Sequence, residues 1–131
     1  MFTFKNVMAG GLFLFGTTFL WMTAAMAGKT PPPEGTEWNV EQVLAFVAII
    51  GFSAAAWGVF KDLAWWEPVA LGSAIVGLVS VIPYTVGISH MGGFSDLGVE
   101  INLVMHLVGS AAVLAIVVVP VVHDWVTHRL V

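Results

Sequence analysis

Residues 101–122 read INLVMHLVGSAAVLAIVVVPVV, and this stretch decides the class of protein to which the chain belongs. It contains no Asp, Glu, Lys or Arg, and its length matches the roughly 20 helical residues that cross the hydrocarbon core of a bilayer. Three further stretches share this apolar character. The sequence therefore predicts an all-α integral membrane four-helix bundle, with spans at about residues 7–27, 40–60, 68–89 and 101–122.

The composition of the whole chain agrees with that class. Of its 131 residues 59% are hydrophobic and only 9% are charged, whereas soluble domains carry roughly a quarter charged residues. The net charge of −4 and the lack of any Lys/Arg cluster argue against a nucleic-acid partner. The chain has no cysteine, so it offers no thiolate for catalysis, zinc or iron–sulfur clusters. We expect one domain over residues 1–131, multi-pass in the cell membrane, with the lipid bilayer as its first partner.

The positive charges predict the orientation of the chain. With both termini in the cytoplasm, Lys5, Lys61 and Arg129 lie inside, where positive residues are preferred. Only Lys29 then lies outside. The first apolar stretch ends in Ala-Met-Ala at 25–27, which resembles a signal-peptide cleavage site, but it is longer than a usual signal core. We expect it to be a retained helix.

Polar residues near the outer ends of the spans predict a pocket. His106 lies roughly 7 Å below the start of its helix, and Tyr84 lies at a similar depth in the third span. Ser110 is one turn further on the same face of the helix as His106, while Glu41 and Glu100 flank the outer loops. These five residues can line an outward-facing polar pocket. Two simpler interpretations stay open: a neutral, hydrogen-bonded His106, and carboxylates that only cap helix N-termini.

No motif for a metal, a cofactor or a nucleophile is present. The chain has no His-x-x-x-His or Glu-x-x-His pair, no G-x-S-x-G and no H-E-x-x-H. We therefore predict no metal ion and no cofactor, and leave open whether the protein is an enzyme.

Small residues recur at four-residue intervals, as in Gly51/Ala55, Ala54/Gly58, Ser73/Gly77 and Ala111/Ala115. Such faces let helix backbones approach closely, within one chain or between chains. They favour association with a second copy of the chain or with a larger membrane protein.

The second half of the chain resembles a group of membrane proteins. Glu-Pro-Val-Ala-Leu at 67–71, Val-Ile-Pro at 81–83 and Val-Met-His-Leu-Val at 104–108, with an apolar run ending in Val119-Pro120, are similar to small four-span proteins of unknown function common in actinobacteria. The resemblance implies a compact four-helix fold in which His106 is a shared feature, with no established activity.

Three functions follow as hypotheses. The first is an accessory or structural subunit of a membrane assembly. The second is a ligand-binding or transport module that uses the pocket around His106 and Tyr84. The third is a membrane-embedded enzyme on a lipid-soluble substrate, with His106 as general acid or base and Tyr84 as its partner.

Overall fold

The computed structural model describes residues 2–27, 31–94 and 96–131, so Lys29 lies outside the described residues. All regular elements in these ranges are helical, which confirms the all-α prediction. The α-helices are α1 (Phe4–Thr17), α2 (Thr36–Phe60), α3 (Trp66–His90), α4 (Leu97–Val118) and α5 (Pro120–Leu130). Helices α2, α3 and α4 are long and apolar enough to cross a membrane, and they overlap the second, third and fourth predicted spans.

The first predicted span is not one continuous helix. After α1 the chain tightens into two short 3₁₀ helices, Thr18–Met22 and Ala24–Met26, which we call the 3₁₀ segment. The hydroxyl of Thr17 donates to the Leu14 carbonyl over 2.7 Å, and the hydroxyl of Thr18 lies 2.6 Å from the Phe15 carbonyl oxygen. Thr23 is extended, at φ −81° and ψ 157°, and separates the two short helices. Threonine side chains that bond to nearby backbone compete with the α-helical ladder, and hydropathy does not register this.

Small residues bring α2 and α3 into close contact within the chain. A Cβ added to Gly58 would lie 2.6 Å from Cβ and 3.1 Å from Cα of Trp66. Gly51 faces Ser73 in the same way. The small-residue positions of α2 and α3 are thus used for packing inside one chain.

The fourth span also ends earlier than predicted. α4 stops at Val118, because Pro120 has no N–H to continue the ladder and instead begins α5 at the favoured first position. Residues 123–129 belong to this last helix. It packs back on α1, where the rings of Phe4 and Trp125 meet edge to face at 5.8 Å.

The two ends of the bundle differ in their charged residues, because all described Lys and Arg residues lie at one end, together with Asp62, Glu67 and Asp124. Lys5, Lys61 and Arg129 lie at what we call the basic end, where Lys5 Nζ contacts Asp62 Oδ2 at 2.6 Å. The opposite end carries acidic residues, and we call it the acidic end. Its acidic residues are Glu34, Glu37, Asp96 and Glu100.

Candidate functional site: a buried polar chain near the acidic end

His106 is completely buried in the bundle and hydrogen-bonded at both ring nitrogens. Its Nδ1 lies 2.6 Å from the carbonyl oxygen of Asn102, one turn earlier on α4. Its Nε2 lies 3.0 Å from the hydroxyl of Thr18, at the start of the 3₁₀ segment. The Phe19 ring packs edge-on against the imidazole at 4.5 Å. The 3₁₀ segment therefore brings to His106 the only hydroxyl that bonds to it in the described structure.

Asn102 extends this series of hydrogen bonds, the polar chain, toward the acidic end. Its Nδ2 donates to the Trp21 carbonyl over 2.9 Å and to the Tyr84 hydroxyl over 3.0 Å. A carbonyl can only accept, so the contact with Trp21 fixes which side-chain atom of Asn102 is the nitrogen. The amide oxygen Oδ1 is buried and has no hydrogen-bond partner in the described structure. Asn102 thus connects three elements and keeps one acceptor free.

Glu41 and Tyr84 lie at one level of the bundle. Trp38 of α2 packs over Gly87 of α3 and meets the Tyr84 ring edge to face at 6.2 Å. The two helices run antiparallel. Glu41 lies three residues after Trp38 on α2, and Tyr84 lies three residues before Gly87 on α3, so Glu41 and Tyr84 are at the same height along the bundle. Glu41 is fully buried, and neither of its carboxyl oxygens has a partner among the described residues. The interpretation that Glu41 caps the N-terminus of α2 is therefore wrong.

The other two predicted pocket residues, Ser110 and Glu100, lie on different faces of α4. Ser110 is fully buried, with its hydroxyl against Gly77 of α3, on the same face of α4 as His106. Glu100 is exposed on another face of α4, so its placement in the pocket was wrong. Six residues turn a helix by about 240°, and so Glu100 and His106 cannot point the same way.

Sequence reasoning missed Asn102 and Thr18. A signal for Asn102 was available: it forms, with His106 and Ser110, a polar stripe at four-residue spacing on an otherwise apolar helix. No such signal marked Thr18, because its role depends on where the 3₁₀ segment crosses α4.

Two cavities flank the polar chain. A cavity of about 300 Å³ lies between the 3₁₀ segment, α3 and α4, and Tyr84, Asn102 and Asp96 contribute its polar lining. We call it the acidic-end cavity. A groove of about 640 Å³, the lateral groove, lies between α2 and the α1–3₁₀ junction and includes Thr17 and Thr18. Both are bordered by Trp21, so the 3₁₀ segment forms a wall between them.

The site shows a specific hydrogen-bonding capacity. Asn102 lines the acidic-end cavity, and its buried amide oxygen is an acceptor without a donor among the described residues. The Tyr84 hydroxyl accepts from Asn102 and still has its own hydrogen to donate. Across the described ranges, no three His, Asp or Glu side chains group as they would around a metal ion. The cavity can therefore hold a group that both donates and accepts a hydrogen bond.

No protein-family model, curated protein or solved structure matches the chain. The resemblance to small four-span actinobacterial proteins thus stays an expectation. The buried polar chain and its two cavities are the observations from which a function can be inferred.

Proposed function

We propose that this is a four-span membrane protein whose acidic-end cavity binds a small, neutral molecule carrying a hydroxyl or amide group. The observation that carries the proposal is the free amide oxygen of Asn102 beside the donating hydroxyl of Tyr84. A buried acceptor without a donor costs about 1–3 kcal/mol, and a ligand hydrogen bond removes that cost. A hydroxyl group can donate to Asn102 and accept from Tyr84 at the same time.

The charges around the cavity favour a neutral ligand over an anion. Asp96 lies in its lining, and the buried Glu41 is level with Tyr84. No Lys or Arg contributes to the described lining that could hold a carboxylate or phosphate. Most of the remaining lining is apolar, as in binding sites for lipid-soluble molecules.

The membrane placement follows from lengths and charges. α1 contributes about 21 Å and Thr18–Met22 about 10 Å more, which together approach the thickness of the hydrocarbon core. This supports the first stretch as a fourth span although its helix is interrupted. The positive charges at the basic end support cytoplasmic termini, which would open the cavity to the outside.

Packing weakens the case for an accessory subunit. Gly51 and Gly58, two of the positions that suggested helix contacts between chains, already contact α3 of the same chain. An accessory role stays the alternative, and the tests below distinguish it from ligand binding.

The test uses benzyl alcohol and ethylbenzene, a pair of similar shape in which only the first has a hydroxyl. The protein is placed in lipid nanodiscs with ¹⁵N-labelled asparagine. We expect benzyl alcohol to shift the side-chain amide resonance of Asn102, and ethylbenzene to leave it unchanged. Equal shifts with both compounds, or none with either, would contradict the proposal.

Matched variants test whether the response to benzyl alcohol arises in the acidic-end cavity. Tyr84→Phe keeps the ring and removes the donor, so it should weaken the benzyl alcohol response several-fold. Gln42→Leu removes an amide that lines the lateral groove and should leave the response unchanged. Native mass spectrometry of the protein released from its own membrane provides the second readout: a small adduct supports ligand binding, whereas a second polypeptide without an adduct supports the accessory role.

A further inference from the structure

The hydroxyl of Thr18 has one hydrogen and two neighbours that can take it. It lies 2.6 Å from the Phe15 carbonyl oxygen and 3.0 Å from Nε2 of His106. The Phe15 carbonyl can only accept, whereas Nε2 accepts in a neutral ring and donates in a protonated one. The direction of this one hydroxyl is therefore tied to the protonation state of His106.

The contact of Nδ1 determines which ring nitrogen carries the hydrogen when His106 is neutral. Nδ1 lies 2.6 Å from the Asn102 carbonyl oxygen, which can only accept, so Nδ1 carries a hydrogen in every state. In the neutral state Thr18 donates to Nε2. In the protonated state Nε2 donates to Thr18, and Thr18 donates to Phe15. Both states satisfy the ring completely, and they differ by one proton and one rotation of a hydroxyl.

We infer that His106 is a proton-binding site in the core of the bundle, loaded through the Thr18 hydroxyl from the lateral groove. Thr18 borders that groove, whereas His106 itself has no exposed surface. A hydronium ion in the groove gives its proton to Thr18 Oγ1 and becomes water. The hydrogen that Thr18 held toward His106 passes to Nε2, and the new O–H turns to the Phe15 carbonyl. One proton and one positive charge have moved from the groove to the ring.

A protonated His106 needs a negative charge within the bundle. From α1 and the 3₁₀ segment it faces Phe15, Thr18 and Phe19, none of which ionises. α4 offers no second ionisable side chain on the face that carries His106. On the remaining packed helices, the ionisable groups buried on the acidic side of His106 are Glu41 of α2 and Tyr84 of α3.

Glu41 is the suitable counter-charge. Both of its oxygens lack a partner among the described residues, and it lies level with Tyr84, which bonds to Asn102 one turn above His106. An ionised Glu41 gives the core one negative charge before the proton arrives, and the core has no net charge once His106 holds that proton. Proton uptake by His106 therefore neutralises the core instead of leaving it with a positive charge.

The experiment is a pH titration of the wild-type protein in lipid nanodiscs, with ¹⁵N-labelled histidine. The His106 resonances are assigned by their loss in His106→Gln. We expect the ring to change from the Nδ1–H tautomer to the doubly protonated form as the pH is lowered through the range in which the protein stays folded. A ring that stays neutral throughout this range, in a folded protein, would overturn the inference.

Three variants test the role of Thr18. Thr18→Val keeps the shape and removes the hydroxyl, so the midpoint should fall by about one pH unit, a tenfold loss of proton affinity. Thr18→Ser keeps the hydroxyl and should titrate like the wild type. Thr17→Val changes the neighbouring threonine, whose hydroxyl bonds only within α1, and should have no effect. A wild-type midpoint in Thr18→Val contradicts the hydrogen bond between Thr18 and the protonated ring, and an unchanged exchange rate of the Nε2 hydrogen with water contradicts the proposed route.

Glu41→Gln removes the negative charge at nearly constant volume. We expect the midpoint of His106 to fall in this variant too, while the Asn102 response to benzyl alcohol is retained. An unchanged midpoint would show that Glu41 is not the counter-charge. Because ligand binding and proton binding have separate readouts, failure of one does not decide the other.

Discussion

The two halves of the bundle are built in different ways. Toward the basic end, Gly58 lets α2 approach the backbone of Trp66, and the ion pair of Lys5 with Asp62 joins α1 to the α2–α3 loop. Toward the acidic end the first helix loses its α-helical ladder, and Glu41 and Asn102 keep oxygens without a hydrogen-bond partner among the described residues. The buried polar groups that can bind a ligand thus lie in the half in which the first helix is interrupted, whereas the ion pair between α1 and the α2–α3 loop lies in the other half.

The largest expected loss of stability comes from replacing a glycine at a close helix contact, and each half offers one such glycine. Gly58→Ala places a methyl group 2.6 Å from the Trp66 Cβ, which moves only if the helix moves. We expect this variant to lose about 1–3 kcal/mol of unfolding free energy. Gly87→Ala also meets an atom at 2.6 Å, but that atom belongs to the side chain of Trp38 and not to the base of a side chain fixed by the helix backbone. It should lose less than Gly58→Ala, at the lower end of that range, about 1 kcal/mol.

Gly72→Ala is the control for both, since a Cβ at Gly72 meets nothing within 4 Å. Unfolding by a denaturing detergent, measured in mixed micelles, gives the comparison. Equal losses for Gly58→Ala and Gly87→Ala would contradict the difference in packing between the halves.

A smaller effect is expected where α5 joins the basic end. Trp125→Ala removes the edge-to-face contact with Phe4 and the stacking of Arg129, whose guanidinium lies 3.8 Å from the indole centroid. We expect a loss of about 0.5–1.5 kcal/mol, confined to the docking of α5. Amide hydrogen exchange should accelerate over residues 120–130 and stay unchanged in α3. Acceleration throughout the bundle would show that α5 is part of the core.

The ion pair between α1 and the α2–α3 loop should contribute less again. Lys5→Met removes the partner of Asp62, and both side chains are partly exposed, so the expected loss is about 0.2–1 kcal/mol. A double-mutant cycle with Asp62→Asn isolates the interaction. The coupling should decrease in high salt, and a salt-independent coupling would contradict a solvent-screened pair.

The smallest effect is a pH dependence at the same end. His123 Nε2 lies 3.3 Å from Glu67 Oε1, and this hydrogen bond, with a second one to Asp124, raises the pKa of His123 above its ordinary 6.5. The raised pKa means that the folded state holds the proton more tightly. The stabilisation is therefore complete below about pH 6 and is lost as the pH rises through the raised pKa.

Comparison of the wild type with Glu67→Gln checks this dependence. The difference in thermal midpoint between the two proteins should be largest in acid and disappear in mild alkali. A difference that grows with pH would reverse the sign and contradict the assignment.

Much of the fold could be predicted from the sequence, but less of the site. Long apolar stretches locate α2, α3 and α4, because membrane helices must be both apolar and long. The break after Thr17 depends on hydroxyl-to-backbone bonds that hydropathy does not include. Side-chain direction is also invisible to hydropathy: Glu100 and Asn102 are two residues apart, yet only Asn102 points inward. Ionisable residues were selected as site candidates, whereas the uncharged Asn102, whose hydrogen bonds join three elements, was not.

The 3₁₀ segment has a consequence for observing the protein at work. Trp21 borders both cavities, and its carbonyl oxygen receives a hydrogen bond from Asn102, while half of its surface is exposed. A segment without an α-helical ladder takes its position from neighbouring side chains, so events at Asn102 reach the indole directly. Trp21 is in effect a fluorophore placed at the site by the fold itself. With the other five tryptophans replaced by phenylalanine, its emission would follow the filling of either cavity in real time.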